Sequence, residues 1–340
     1  MADTAFGWGI VGFGWVARDH AAPAMLAAGH RIQAVCDPGD RAREIAAERF
    51  NPIGGVHERL EPLLNDPAVQ ALYVATPNHL HRSAVEAAVA AGKPVLCEKP
   101  MAATLADAVA MAAAVQRGSV LYGTAFDQRH HPAHAAMRTA VAAGLIGRPT
   151  AIRIAYACWL DVGWSMTGEG DNWRADPKRA GGGALMDLAP HGLDLVEFLL
   201  GDPIAQIAAL TQRRVQGYDA DDGAVLIGRT GCGVLVQLHV AYNCPDALPR
   251  RRLEVLGSAG QLVAVNTMGQ DSGGQVTFTD VEGTSCVLPV PDASACPFAR
   301  QMAAFAQAVA QGDQDGFSVR RDLHTMHLLH QAYAGDDPCR

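Results

Sequence analysis

Residues 12–17, "GFGWVA", follow a short apolar run and open an alanine-rich stretch. No other feature constrains the chain as strongly. The G-x-G-x-x-A pattern requires a strand before it and a helix after it. Gly12 allows the tight turn, Gly14 lets the backbone approach a pyrophosphate, and Ala17 keeps helix and strand close. The helix N-terminus then presents free N–H groups and the positive end of its dipole to an anion. Phe13, Trp15 and Val16 complete the same loop. Twenty residues beyond Ala17 the next apolar run, "RIQAVC", ends in Asp37. A carboxylate there accepts hydrogen bonds from ribose hydroxyls and repels a 2′-phosphate. NAD is therefore expected, with NADP not excluded because Arg41 follows four residues on. The bland alternative is a tight turn that binds nothing; strand, helix and acid in register weigh against it.

The first third of the chain keeps this rhythm. "FGWGIVGFG", "RIQAVCDP", "QALYVATP", "PVLCEKP" and "SVLYGTAF" read as short buried strands. They are separated by helical stretches such as "GDRAREIAAERF" and "HLHRSAVEAAVAAG". The first of these helices, "WVARDHAAPAMLAAG", is expected to be interrupted or shortened by Pro23. Such alternation implies a doubly wound parallel sheet over residues 1–123. From 124 onward longer strand patterns joined by "GRTGCG", "GSAG" and "DVEG" turns imply a mostly antiparallel sheet with helices, taken as a second domain over 124–340.

Composition narrows the function class. With 340 residues, 49% of them hydrophobic, the chain can bury a full core. Its net charge of −8 is mild, and no basic run suggests nucleic acid. No apolar stretch reaches the ~20 residues that span a bilayer, and the N-terminus lacks the pattern of an export signal. A cytoplasmic protein is expected. Its eight cysteines contain no C-x-x-C pair, so reduced thiols are expected.

"GGGALMDLAPHGLDL", residues 181–195, is the second informative stretch. Asp187, His191 and Asp194 are spaced four and three apart, so on a helix they share a face. Three readings are open: a catalytic group, a metal site joined by His130, His131 and His134, or a helix cap backed by a core histidine. Pro190 bears on the last, because proline is tolerated in a first turn and costly further in. A helix starting near Asp187 would make that residue its cap.

At "CEKP" the chain resembles the Gfo/Idh/MocA family. Glu98-Lys99-Pro100 ends a strand after the glycine fingerprint and a "TPNHLH" turn. A glycine run then leads into D-x-x-x-H-x-x-D, with "GLIGRP" before the second-domain sheet and "GSAG" late in it. The resemblance covers essentially the whole chain. It implies a Rossmann domain plus an α+β domain whose open-faced sheet often joins copies into a homodimer or homotetramer. It also implies reversible oxidation of a hydroxyl on a sugar or polyol by a nicotinamide cofactor, with no metal required. Residue by residue, it implies Lys99 and His191 beside the reacting carbinol, with Asp187 as the first acid of the motif. Thr76, Pro77, Asn78 and His79 lie along the cofactor, and Glu98 flanks its nicotinamide half. Gln128 is placed on the cofactor side. Trp173 and Arg174 resemble the W-R element that faces nicotinamide and substrate. Ala189-Pro190 departs from the family's common form, and the long connection 159–174 is the candidate specificity loop.

The chemistry fits these residue types. Hydride departure from a carbinol needs a base for the hydroxyl proton, and histidine's ordinary pKa of ~6.5 suits that task. A lysine cation stabilises a developing alkoxide. Asp187 could orient the imidazole or hold a neighbouring hydroxyl, and Asp194 reads as structural. Two rivals remain. One is an NAD-dependent glycoside-cleaving enzyme with no net cofactor change; the other is a non-catalytic nucleotide-sensing protein. Net reduced cofactor separates the first from a dehydrogenase, and loss of function in Lys99 and His191 variants separates the second.

Overall fold

The computed structural model describes residues 5–164, 172–314 and 316–336. β1 (Gly7–Val11) enters the glycine loop, and the chain then turns through Ala17–Ala21 into α1 (Ala22–Ala27). The Ala22 N–H reaches back to the Ala17 carbonyl, a bond one residue wider than the α-helical one. Pro23 lacks an N–H and its ring crowds the carbonyl four residues earlier, and a wide turn relieves both. The helix is therefore widened rather than ended by Pro23.

Next come β2 (Arg31–Cys36), α2 (Asp40–Phe50), β3 (Val56–His57), α3 (Glu61–Asn65) and β4 (Ala71–Val74). They are followed by α4 (His81–Ala90), β5 (Val95–Cys97), α5 (Leu105–Gly118) and β6 (Tyr122–Thr124). All six strands are parallel, in the order β3-β2-β1-β4-β5-β6. The order reverses at β1/β4, and the crevice at the carboxyl ends there is where open α/β sheets bind ligands. Parallel strands are covered on both faces, and β1, β4 and β5 are buried throughout.

The second sheet is built from β7 (Pro149–Ala157), β8 (Ile204–Gln212), β9 (Gly223–Thr230), β10 (Leu235–Ala241), β11 (Arg251–Gly257), β12 (Gly260–Val265), β13 (Gln275–Asp280) and β14 (Ser285–Val287). Its order is β14-β13-β12-β11-β7-β10-β9-β8; only β7 and β10 pair in parallel. The mostly antiparallel expectation holds. α6 (Pro132–Ala142) and α7 (Pro177–Ala180) precede α8 (Ala184–Leu200), which packs on β7 and β10. The other face is open, exposing Leu210, Ile227 and Leu235.

The chain forms two compact units, which differ from a simple split at 123/124. The change falls at Ala125/Phe126, and Phe298–Met326 returns to the first unit. α9 (Pro297–Gln311) sets Phe298, Met302 and Phe305 into the core around Trp8, Ile10 and Tyr73. The Trp8 and Phe305 rings lie 5.7 Å apart. α10 (Val319–Gly335) supplies Asp322, which accepts the Thr124 N–H at 2.7 Å. Among the described residues all cysteines are free, and no helix is long and apolar enough to cross a membrane.

Candidate active site

In the first unit the glycine loop has the geometry its sequence demands. Gly12 sits at φ +84°, and a Cβ there would lie 2.8 Å from both the Ala75 carbonyl and the Thr76 nitrogen. No side chain fits, so the loop can lie flat against the end of β4. Asp37, just past β2, accepts the Phe13 N–H at 2.7 Å on one oxygen and the Gly39 N–H at 2.8 Å on the other. A carboxylate has about four acceptor sites, so both oxygens keep capacity for a ribose diol. Thr76 Oγ1 is buried and has no hydrogen-bond partner among the described residues. An orphaned hydroxyl, a loop that excludes a Cβ and an oriented acid together fit a dinucleotide.

Two further turns line the same strand ends. Pro77 leads into a tight turn, Asn78–Leu80, with Asn78 buried and His79 exposed. His81 is fully buried, with Nε2 3.0 Å from the Thr76 carbonyl and Nδ1 3.0 Å from the Pro100 carbonyl. It ties the turn after β4 to the turn after β5, and burial pulls its pKa down to about 4. Glu98 accepts the Tyr73 hydroxyl, which orients the residue preceding Lys99. Lys99 itself is half-buried at the carboxyl end of β5. Trp15 packs edge-on against His20, at 4.8 Å between ring centroids.

In the second unit the start of α8 answers the question left open by Pro190. The helix begins at Ala184 and Pro190 lies inside it. Its N-terminus is capped from far along the chain. Asp221 accepts the Gly183 N–H at 2.9 Å and the Leu185 N–H at 2.8 Å, and Tyr333 donates to the same carboxylate at 2.8 Å. The glycine run serves this closure: a Cβ on Gly183 would stand 1.9 Å from the Asp221 carbonyl, and one on Gly182 2.2 Å from the Tyr333 hydroxyl. The cap is therefore Asp221, and Asp187 is left half-buried on the first turn with its carboxylate released from that duty.

The three residues of α8 singled out from the sequence, Asp187, His191 and Asp194, meet three different partners. Asp194 holds Arg129 with both oxygens, at 2.8 and 2.7 Å, a buried structural pair. His191, 5% exposed, places Nδ1 3.3 Å from Asp127 Oδ1. Asp127, 4% exposed, was not singled out from the sequence, because nothing in "FDQRHH" distinguishes it from a surface acid. The Tyr156 ring meets the imidazole edge to face at 5.6 Å. Asp187 lies within electrostatic reach of the Tyr242 hydroxyl, whose pKa is pushed up first by burial and then by that acid.

Gln128 is buried in this unit, its amide nitrogen held by Asp127 Oδ2 at 2.8 Å and the Gly269 carbonyl at 2.7 Å. That amide is committed to the interior of the second unit. Arg174 is clasped between the rings of Trp164 and Trp173, at 5.1 and 4.4 Å. Trp159 is exposed, while residues 165–171 of the candidate specificity loop lie outside the described residues. His134 is buried against the Gln128 carbonyl and Thr267, and no group of three or more metal-ligating side chains occurs among the described residues.

Comparison with known proteins matches residues 6–126 to the oxidoreductase family with an NAD-binding Rossmann fold and residues 134–263 to the GFO/IDH/MocA C-terminal domain. A 1,5-anhydro-D-fructose reductase of Ensifer adhaerens is 36% identical over 304 residues, 89% of this chain and 87% of that protein. Inositol 2-dehydrogenase 1 of Saccharopolyspora erythraea is 30% identical, covering 92% and 88%. Among solved structures, an aldose-aldose oxidoreductase from Caulobacter crescentus complexed with glycerol superposes at TM-score 0.87 and 22% identity, over 99% of this chain and 98% of that one. A levoglucosan dehydrogenase complex with NADH and levoglucosan gives 0.84 at 21%, over 98% and 97%. These two structural likenesses establish the fold.

Proposed function

Because the chain belongs to the Gfo/Idh/MocA family of NAD-binding oxidoreductases, we propose that it interconverts a hydroxyl and a carbonyl on a sugar or related polyol. The buried His191–Asp127 pair, 3.3 Å apart, carries this reading. A carboxylate this close to Nδ1 favours a proton on that nitrogen through its charge and leaves Nε2 to exchange the substrate's proton. NAD, when bound, supplies or accepts the hydride at the carbinol carbon. His191 takes the hydroxyl proton as the hydride leaves and returns it in the reverse direction. Lys99 steadies the oxygen while it carries negative charge. Asp187 holds a neighbouring hydroxyl, and Trp173 and Arg174 contribute to the substrate side. Thr76, Asn78 and the glycine loop hold the cofactor, and Asp37 selects NAD over NADP by repelling a 2′-phosphate. The open face of the eight-stranded sheet, with Leu210, Ile227 and Leu235 exposed, is assigned to a second copy of the chain.

The test is a panel of sugars, inositols and anhydrosugars with NAD and NADP, together with the corresponding ketoses and NADH, followed by the absorbance of reduced cofactor. Net turnover is expected with at least one pair. His191→Ala should lower kcat by about 10²–10⁴-fold, the usual worth of a positioned acid–base group. Asp127→Asn should lower it less and shift its pH profile. Full activity in His191→Ala, or no turnover in either direction across the panel, would refute the proposal.

A further inference from the structure

Tyr242 lies one step beyond β10, and its surroundings call for an occupant. Alternate residues of a strand share a face, so Leu238, Val240 and Tyr242 form one row, all buried. That row faces α8: a Cβ on Gly192 would meet Leu238 at 2.6 Å and Ile154 at 3.6 Å. His191, next to Gly192, already reaches Tyr156, which pairs with Val240 across the ladder. The helix thus runs antiparallel to β7 and β10, and its N-terminal turn approaches their carboxyl ends. There Asp187, one turn before His191, comes within electrostatic reach of Tyr242.

The tyrosine is rigidly placed. Its N–H donates to the Asp222 carbonyl at 2.8 Å, and its carbonyl accepts from Leu160 N and Gln216 Nε2, each at 2.9 Å. Its ring meets that of Tyr218 edge to face at 6.5 Å. The two phenols differ in one respect. Tyr218 donates to the Leu160 carbonyl at 3.2 Å, whereas the hydroxyl of Tyr242, a residue 1% exposed, makes no hydrogen bond of ordinary length and angle among the described residues, and Asp187 is close enough only for a long, weak one. Buried hydroxyls without a partner are rare, because the lost solvation is not repaid. The charged groups near it are Asp187 and Arg174, the latter fixed between Trp164 and Trp173.

We propose that Tyr242 is a specificity-determining residue whose hydroxyl donates to a substrate oxygen while Asp187 accepts from an adjacent hydroxyl, a pair suited to a vicinal diol. The assignment rests on the oxidoreductase reading above. A rigid donor beside an acceptor distinguishes two neighbouring hydroxyls from a single one, so the substrate class it selects is a polyol rather than a simple alcohol.

The test variant is Tyr242→Phe, which removes one oxygen and keeps the ring. On a polyol the wild type turns over, KM should rise about tenfold, the scale of one neutral hydrogen bond, with kcat within about threefold. NADH affinity, measured by fluorescence titration without substrate, should not change, and Tm should hold or rise because a poorly paired buried hydroxyl has gone. A deoxy analogue lacking the hydroxyl that Tyr242 reads should lose most of its difference between wild type and variant. Unchanged KM on an active wild type would overturn the assignment alone. A lowered Tm with weakened NADH binding would overturn it in favour of a structural role. A wild type with no turnover on any polyol would remove the oxidoreductase reading and this assignment with it.

Discussion

Asp221→Ala should destabilise the second unit strongly, although Asp221 is not among the residues assigned to chemistry. The carboxylate accepts the Gly183 and Leu185 N–H groups at 2.9 and 2.8 Å and the Tyr333 hydroxyl at 2.8 Å. Removing it strands the Leu185 N–H and the proton of the Tyr333 hydroxyl, and leaves the Gly183 N–H only its longer contact to that hydroxyl, at 3.3 Å. Loss of a helix cap costs about 1–2 kcal/mol, and hydrogen bonds to a charged acceptor about 1.5–3 kcal/mol each. Against these stands the burial of the carboxylate, which pushes its pKa up despite the donors around it. A net loss of about 3 kcal/mol is expected, after allowing for that burial. For a unit of this size it corresponds to about 6–12 °C in Tm. Asp221→Asn keeps the shape but turns an NH₂ toward a donor, so it should rescue little. Tyr333→Phe removes one of the three bonds and should cost about 1 kcal/mol. Thermal unfolding followed by the tryptophans of the second unit measures all three variants. If Asp221→Ala shifted Tm by less than about 2 °C, the long-range cap would not be what holds α8 in place. The same variant should lose activity, since α8 carries Asp187 and His191.

Two further outcomes follow from groups the fold buries. Gly12→Ala should abolish cofactor binding and destabilise the first unit, because its Cβ would press the Ala75 carbonyl at 2.8 Å from a backbone at φ +84°; unchanged NADH titration would contradict this. Burial lowers the pKa of His81 to about 4 and of His134 to about 3. Unfolded, each titrates near 6.5, so below that pH the unfolded chain takes up protons the folded one refuses. Each unit should keep its full stability above pH 6.5. Below that it should lose about 1.4 kcal/mol per pH unit, down to about pH 4 for the unit holding His81 and about pH 3 for the other. A Tm flat between pH 7 and 5 would show that these imidazoles are not held neutral.

What the sequence determined by itself was local. The glycine fingerprint, the strand before it and Asp37 after it depend on backbone conformations and spacings that span a few tens of residues. Gly12 at positive φ is a direct consequence of them, and the first sheet is parallel as its strand–helix alternation implied, although its strand order came only with the structure. Likewise the longer strand patterns and the glycine-bearing turns between them announced the second sheet, because turn chemistry is written residue by residue. The D-x-x-x-H-x-x-D spacing put Asp187, His191 and Asp194 on one helix, but not their partners. Asp127, Asp221 and Tyr242 are separated from α8 by long stretches of chain; Asp221 and Tyr242 reach it through the strands of the second sheet, and Asp127 through the packing of the turn before α6 on α8. The return of Phe298–Met326 to the first unit has the same origin. An amphipathic helix specifies that one face will be buried, and leaves open against which core. Tertiary structure therefore decided that Asp221 rather than Asp187 caps the helix. That left Asp187 beside Tyr242 and put an unforeseen acid against His191.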